Sequence, residues 1–319
     1  MEMSEKPAVE LEKRREFSEV INATFSFVGQ EFKSLLTVVA LYAGLFILAS
    51  TVLSVVFSGN QLQVLFDRVQ SGDFASFSAG NFSFIFITYL FSLLCIIVLS
   101  GLVSAYMVVY AEKGRKGFVH ADVWKAFMAS FVRLLLLTLL TMMMFVIIGG
   151  VGALVIIFLA AVPVSAIIKA IVIFLAVISL IAVMCYVWVP LSLSHIVLYS
   201  ERNGVFNAIG RSFSLVKGNW WLSFGVIFIL GLVVSVLSSF FSIPAFMSGL
   251  FKGFTAASGE STVDVTSMSF VLTTVISSLG QYFIYPLIFV GVAIHYFNLR
   301  ERVDNNDLLR RVEQMSEEA

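Results

Sequence analysis

The sequence predicts an all-α fold: a polytopic membrane bundle of six transmembrane helices with cytoplasmic interfacial amphipathic helices, built as three elbow-plus-hairpin units. Three observations lead there. Of the 319 residues, 59% are hydrophobic and only 13% charged, about half of the roughly quarter-charged composition of water-soluble domains. Six apolar runs reach or exceed the roughly 20 residues that a helix needs to cross hydrocarbon. The cations between those runs fall almost entirely on one side. The balance of 20 Lys and Arg against 20 Asp and Glu leaves no basic field to steer nucleic acid. Two cysteines are too few for a disulfide scaffold.

The runs are read in order as Leu35 to Phe57, Phe84 to Tyr110, Leu134 to Ala160, Ala166 to Tyr199, Trp221 to Phe241 and Phe270 to Phe297. None alternates with period two, and all are far longer than the roughly 10 residues of a barrel strand. Lys and Arg cluster before the first run, between the second and third, between the fourth and fifth, and after the sixth. Only Arg68, Lys169 and Lys252 lie on the opposite side, leaving seventeen of the twenty together. The positive-inside rule then puts both termini in the cytoplasm of a cell-membrane protein. Residues 1–16 read as a charged cytoplasmic lead, 17–302 as the membrane domain and 303–319 as a charged tail. The mixed-charge lead, with Glu2, Glu5 and Glu10, is unlike the short basic start of a cleaved signal peptide.

Each odd-numbered run follows an amphipathic stretch. Phe206, Ile209, Phe213, Val216 and Trp220 recur at helical spacing, with Asn207, Arg211 and Ser214 on the other face and Asn203 as N-cap. Phe17, Ile21, Phe25, Val28 and Phe32 precede the first run; Val123, Phe127 and Phe131 precede the third. Such helices lie in the interface with their aromatics among the acyl chains. Even-numbered runs exit into Glu112-Lys113, Glu201-Arg202 and Glu301-Arg302. Two readings stay open: a threefold internal repeat, or the shared needs of any membrane hairpin. Residues 58–83 read as an outer interfacial turn and 244–269 as a Gly/Ser/Thr-rich outer loop.

The run from Phe213 to Trp221 (FSLVKGNWW), after the Arg211-Ser212 pair, is similar to the elbow of the glycerophosphodiester phosphodiesterase membrane-domain type. The ending from His295 to Arg302 (HYFNLRER) resembles the close of that group's final helix. The resemblance implies a multi-span membrane part. It implies no phosphodiesterase activity, because no residues remain for a catalytic barrel of about 250 residues.

Catalytic signatures are missing: there is no phosphate-binding P-loop, no H-E-x-x-H, no C-x-x-C and no G-x-S-x-G. Cys95 and Cys185 sit inside apolar runs as small hydrophobes. Polar residues at membrane depth are the remaining candidates. Gln281, Tyr282 and Tyr285 lie beside Pro286, which cannot donate to the Tyr282 carbonyl. His195 and His295 lie near the cytoplasmic ends of the fourth and sixth runs. These five form a candidate polar niche; interhelical hydrogen bonds and interfacial anchoring are the alternative. Neither a metal nor a cofactor is expected.

A non-enzymatic, lipid-interacting membrane organiser, or a transport-like carrier of an amphipathic solute, is the function these residues suggest. An accessory subunit of a membrane or secretion complex and a lipid-acting enzyme using His195, His295 and Glu201 or Glu301 are the alternatives. The expected partners are membrane lipids and a protein met through the cytoplasmic tail, where Leu308, Leu309 and Val312 share a helical face. Reporters fused beside Arg115 and beside Arg211 are expected in one compartment; a topology assay that separates them overturns the six-span arrangement.

Overall fold

Hydrocarbon offers the backbone no hydrogen-bond partner, so a chain of this composition satisfies its peptide groups within helices. The structure, a computed structural model, describes residues 9–71, 79–115, 117–202, 204–257 and 267–304. Within them run α1 (Phe17–Ser71), α2 (Ala79–Lys113), α3 (His120–Ala161), α4 (Ala166–Ser200), α5 (Val205–Val216), α6 (Trp220–Ala257) and α7 (Met268–Asp304). No strand occurs among the described residues. All but α5 are long and apolar enough to cross a membrane, which makes this a multi-pass membrane protein of six candidate spans.

The three elbows are not alike. Only α5, the third elbow, is a separate helix; the expected first and second elbows are continuous with their spans, inside α1 and α3. The difference is local chemistry. Between α5 and α6 lies Gly218 at φ +81°, a left-handed conformation that a glycine adopts at no steric cost and that ends a helix. No proline or positive-φ residue interrupts the junctions at Lys33 and Arg133. The N-cap of α5 is Gly204, not Asn203, which lies outside the described residues. At the end of α4, Arg202 is the non-glycine residue among the described residues with a positive φ, 52°.

The face that α5 buries also differs from the predicted apolar stripe. Ala208, Ser212, Leu215 and Val216 are buried as α5 packs against α4 and α3, whereas Phe206 is 76% exposed. The helix therefore turns Ala208, Ser212, Leu215 and Val216 toward protein and leaves Phe206 outside that contact.

Two expected outer loops are helical over part of their length. Helix α1 continues to Ser71, so residues 58–71 are helix in place of the expected turn. Helix α6 passes through Pro244 to Ala257. A proline removes one ladder bond, and near the interruption the Ser277 hydroxyl donates to the Phe241 carbonyl at 2.6 Å. The expected amphipathic tail, from residue 305 onward, lies outside the described residues.

The chain forms two compact units. The first comprises the described residues within Met1–Ala23, Ser104–Ile227 and Gly291–Ala319; the second those within Thr24–Val103 and Phe228–Val290. In the first, Tyr106, Phe127, Leu134, Leu193, Ile196 and Tyr296 are fully buried. Its α3–α4 hairpin packs closely at Gly149 and Gly152, where an added Cβ would lie 3.2 Å from Met184 Cε and 2.5 Å from Leu180 Cδ1. Beyond that seam Val146, Leu154, Phe158, Ile167 and Phe174 are mostly exposed, which suits side chains solvated by lipid.

In the second unit Phe27, Ala43, Cys95 and Leu230 are buried. Gly280 is its tightest point: a Cβ there would meet Phe241 Cγ at 2.3 Å and Phe241 Cβ at 2.8 Å. Because the Phe241 Cβ cannot rotate away, Gly280→Ala is expected to destabilise the detergent-purified protein by roughly 1–3 kcal/mol of overpacking. Gly231→Ala, with nothing within 4 Å, is expected to be neutral or stabilising in the same thermal-unfolding assay.

Candidate functional site

Polar chemistry in the first unit gathers at the end of α7. Helical spacing puts His295, Asn298 and Arg302 on one face. Asn298 Oδ1 accepts the Arg15 backbone N–H at 2.7 Å and Arg302 Nε at 3.3 Å. Arg302 Nη2 also donates to the Arg15 carbonyl at 2.6 Å. Both polar groups of Arg15's main chain are thus held by α7 side chains. The Arg15 guanidinium turns back onto the Leu11 carbonyl at 3.0 Å and onto the carbonyls of Lys13 and Glu10. Burial lowers its pKa from the ordinary value, against the opposing influence of Glu10 and Glu19. Glu19 reaches back 2.8 Å to the Glu16 N–H, as in a capping box, and starts α1.

The exit doublets pair crosswise. Arg202 from α4's exit reaches Glu112 from α2's exit at 2.8 Å. Arg211 of α5 bridges Glu201 at 2.9 Å and Asp304 at 2.6 Å. Burial opposes the Arg211 charge, but its bonds to Glu201 and Asp304 outweigh that and raise its pKa. Arg300 pairs with Glu12 and lies over the rings of Tyr296, at 5.8 Å, and Phe297, at 5.3 Å. The first of these pairs is exposed and contributes at most about 1 kcal/mol; the others, half-buried and shared among three or more groups, fix register more than they add stability.

His295 and Ser223 resemble a base–nucleophile pair by distance alone, with Nε2 and Oγ 3.0 Å apart. Their protons run the wrong way. The Ser223 hydroxyl donates to the Asn219 carbonyl at 3.0 Å, so His295 must be the Nε2–H donor to the serine oxygen, a tautomer assigned from the network. Nδ1 is then a bare acceptor. It has no partner among the described residues, and neither does the Asn298 Nδ2 donor one turn away. Both side chains are fully buried, with the unused acceptor and the unused donor one helical turn apart on α7.

The other niche candidates have partners of their own. His195 Nε2 lies 3.5 Å from the Thr138 hydroxyl, also in the first unit. In the second unit the Gln281 amide donates to Ser242 at 3.2 Å, Tyr282 hydrogen-bonds Ser50, and the Tyr285 ring meets the Tyr282 ring edge-on. The five candidates thus divide between the two units instead of forming one niche.

Two concavities are better formed. In the second unit, one face of α1 (Phe25, Val28, Phe32, Leu35, Leu36 and Val39) opposes Leu237 of α6 and the Phe283–Leu287 turn of α7 around about 260 Å³. Pro286 shapes this wall. In the first unit, Tyr186 and Pro190 of α4 face Phe213, Lys217, Gly218 and Trp220 around about 340 Å³. Here Pro190 leaves the carbonyl of Tyr186, four residues earlier, without its helical donor. The Trp220 indole N–H fills it at 3.3 Å, with the Trp220 ring stacked on Tyr186 at 5.6 Å and on Phe224 at 5.2 Å. Sequence reasoning missed this repair, although Pro190 and Trp220 were both visible.

No group of three or more His, Cys, Asp or Glu among the described residues has the proximity to hold a metal ion. Comparison with protein-family models, curated proteins and solved structures returned no match. Trp220→Phe keeps the ring but strands the Tyr186 carbonyl, and is expected to cost about 1 kcal/mol, the worth of one hydrogen bond. In a Pro190→Ala background, where the main chain can bond Tyr186 again, most of that cost should disappear from the double-mutant cycle. Additive effects would contradict the repair.

Proposed function

We propose that this protein is a lipid-interacting component of the cell membrane that holds the apolar part of an amphipathic molecule, foremost a lipid acyl chain, in the pocket between α1 and α7. The observation that carries this reading is the pocket's lining: every residue named along Phe25–Val39 and Phe283–Leu287 is apolar, so the pocket presents no group to orient a polar substrate. Retention of the chain serves either a membrane organiser or a carrier. The non-enzymatic reading is supported by the proton direction at His295 and by the ion pairs that occupy Glu201. Cytoplasmic termini, a threefold repeat behind the exit doublets, and kinship with the glycerophosphodiester phosphodiesterase membrane-domain type belong to the same proposal. The last rests on the Phe213–Trp221 and His295–Arg302 runs.

The test is lipid retention by the full chain purified in mild detergent and read by native mass spectrometry. Leu36→Trp fills the pocket. Displacing about three methylene groups weakens retention by roughly 2 kcal/mol, at about 0.8 kcal/mol each. Undiminished retention by a folded Leu36→Trp protein, judged by its thermal transition, overturns the pocket's role.

A further inference from the structure

The second concavity differs in character from the apolar pocket and belongs to the other unit, so its chemistry does not depend on an acyl chain being held between α1 and α7. Its walls are the aromatic rings of Tyr186, Phe213 and Trp220 with Pro190, and at its rim stands Lys217. Elsewhere in the same unit Arg202, Arg211, Arg300 and Arg302 each have a carboxylate within 4.0 Å. Lys217 is exposed and has no side-chain partner among the described residues. The neighbouring hydroxyl, Ser214, spends its proton on the Arg211 carbonyl at 2.8 Å, and the Trp220 N–H is spent on Tyr186. Among the described residues lining the groove, Lys217 is left as a free cation beside the aromatic residues Tyr186, Phe213 and Trp220.

The position narrows the ligand. The groove lies at the corner between α5, whose Phe206 is 76% exposed, and the start of α6, where Trp221 is 79% exposed. Exposed tryptophan at the end of a span marks the headgroup level of a bilayer. The first turn of α6 adds the partial positive charge of its unbonded N–H groups. A ligand that suits this place carries one negative charge on a compact group joined to an apolar body. We propose that the groove seats the phosphate headgroup of an anionic glycerophospholipid from the cation-rich leaflet, with the Lys217 ammonium on the phosphate oxygens and the glycerol backbone against Phe213 and Trp220.

The experiment titrates the full chain in detergent micelles with phosphatidylglycerol, phosphatidylcholine and inorganic phosphate, and reads bound lipid by native mass spectrometry. The wild type should prefer phosphatidylglycerol. Lys217→Gln should weaken it about tenfold, the scale of one lost charge-assisted hydrogen bond, and abolish the preference over phosphatidylcholine. Lys217→Arg should keep the preference, and Lys169→Gln should leave it unchanged. Three results overturn the proposal: an unaltered preference in Lys217→Gln, an equal loss in Lys169→Gln, or displacement of the lipid by inorganic phosphate, which would mark a site for free anions. Lys217 makes no side-chain bond among the described residues, so its replacement leaves the fold intact for the measurement.

Discussion

A backbone carbonyl or amide left without a partner in hydrocarbon costs several kcal/mol, and the packing of this protein follows from that constraint. Each of α4, α6 and α7 contains a proline. Where Pro190 interrupts α4, the Trp220 indole repairs the gap; near Pro244, Ser277 bonds the Phe241 carbonyl. The Trp220 repair crosses from one helix to another, so a defect within α4 becomes a link between two elements; the Ser277 bond is a second link between helices, one residue beyond the Phe240 carbonyl that Pro244 leaves without its donor. Most hydroxyls instead bond a carbonyl of their own helix, as Thr51 does Ile47, Thr138 does Leu134 and Ser212 does Ala208, and the links between helices come from a few side chains such as Trp220, Ser277 and Tyr199.

At the polar end the same accounting applies to charge. The acid–base doublets at the exits of α2, α4 and α7 do not neutralise themselves. Arg202 pairs with Glu112, Lys113 with Asp122 of α3, Glu201 with Arg211, and Arg302 with Glu16 of the segment before α1; the neighbouring Arg300 pairs with Glu12. Each pair is individually weak where it is exposed. Together they tie elements distant in sequence, from Glu12 to Asp304, into one unit whose register is set by charge as well as by the apolar packing of Tyr106, Phe127 and Tyr296. Lys217, close by in the chain yet outside this arrangement, stands out for that reason.

The six spans were legible because they depend on composition and length, which lipid imposes directly. The continuity of α1 and α3 was less so: an amphipathic stretch and an apolar stretch share one helical backbone unless a residue such as Gly218 forces a turn, and periodicity alone does not report the turn. The helical course through Pro244 was hidden because a proline that merely interrupts one ladder bond and a proline that ends a helix look the same in sequence. Among the site candidates, Gln281 and the histidines drew attention by polarity. Their partners Ser242, Thr138 and Ser223 are ordinary residues that only a fold can select. The apolar pocket had a visible signature in the α1 stripe from Phe25 to Phe32, but the opposing wall at Pro286 lies about 250 residues away in the chain, beyond the reach of any periodicity.

The α3–α4 hairpin carries a consequence for biogenesis. Its halves meet across Gly149 and Gly152 while much of their remaining surface accepts lipid. A hairpin of this kind needs no third helix before it leaves the translocation channel, since helix insertion and helix association are separable steps in a bilayer. The pair is therefore suited to partition into the membrane as soon as Ala166–Ser200 has been synthesised, giving the later α5 a settled surface on which to dock.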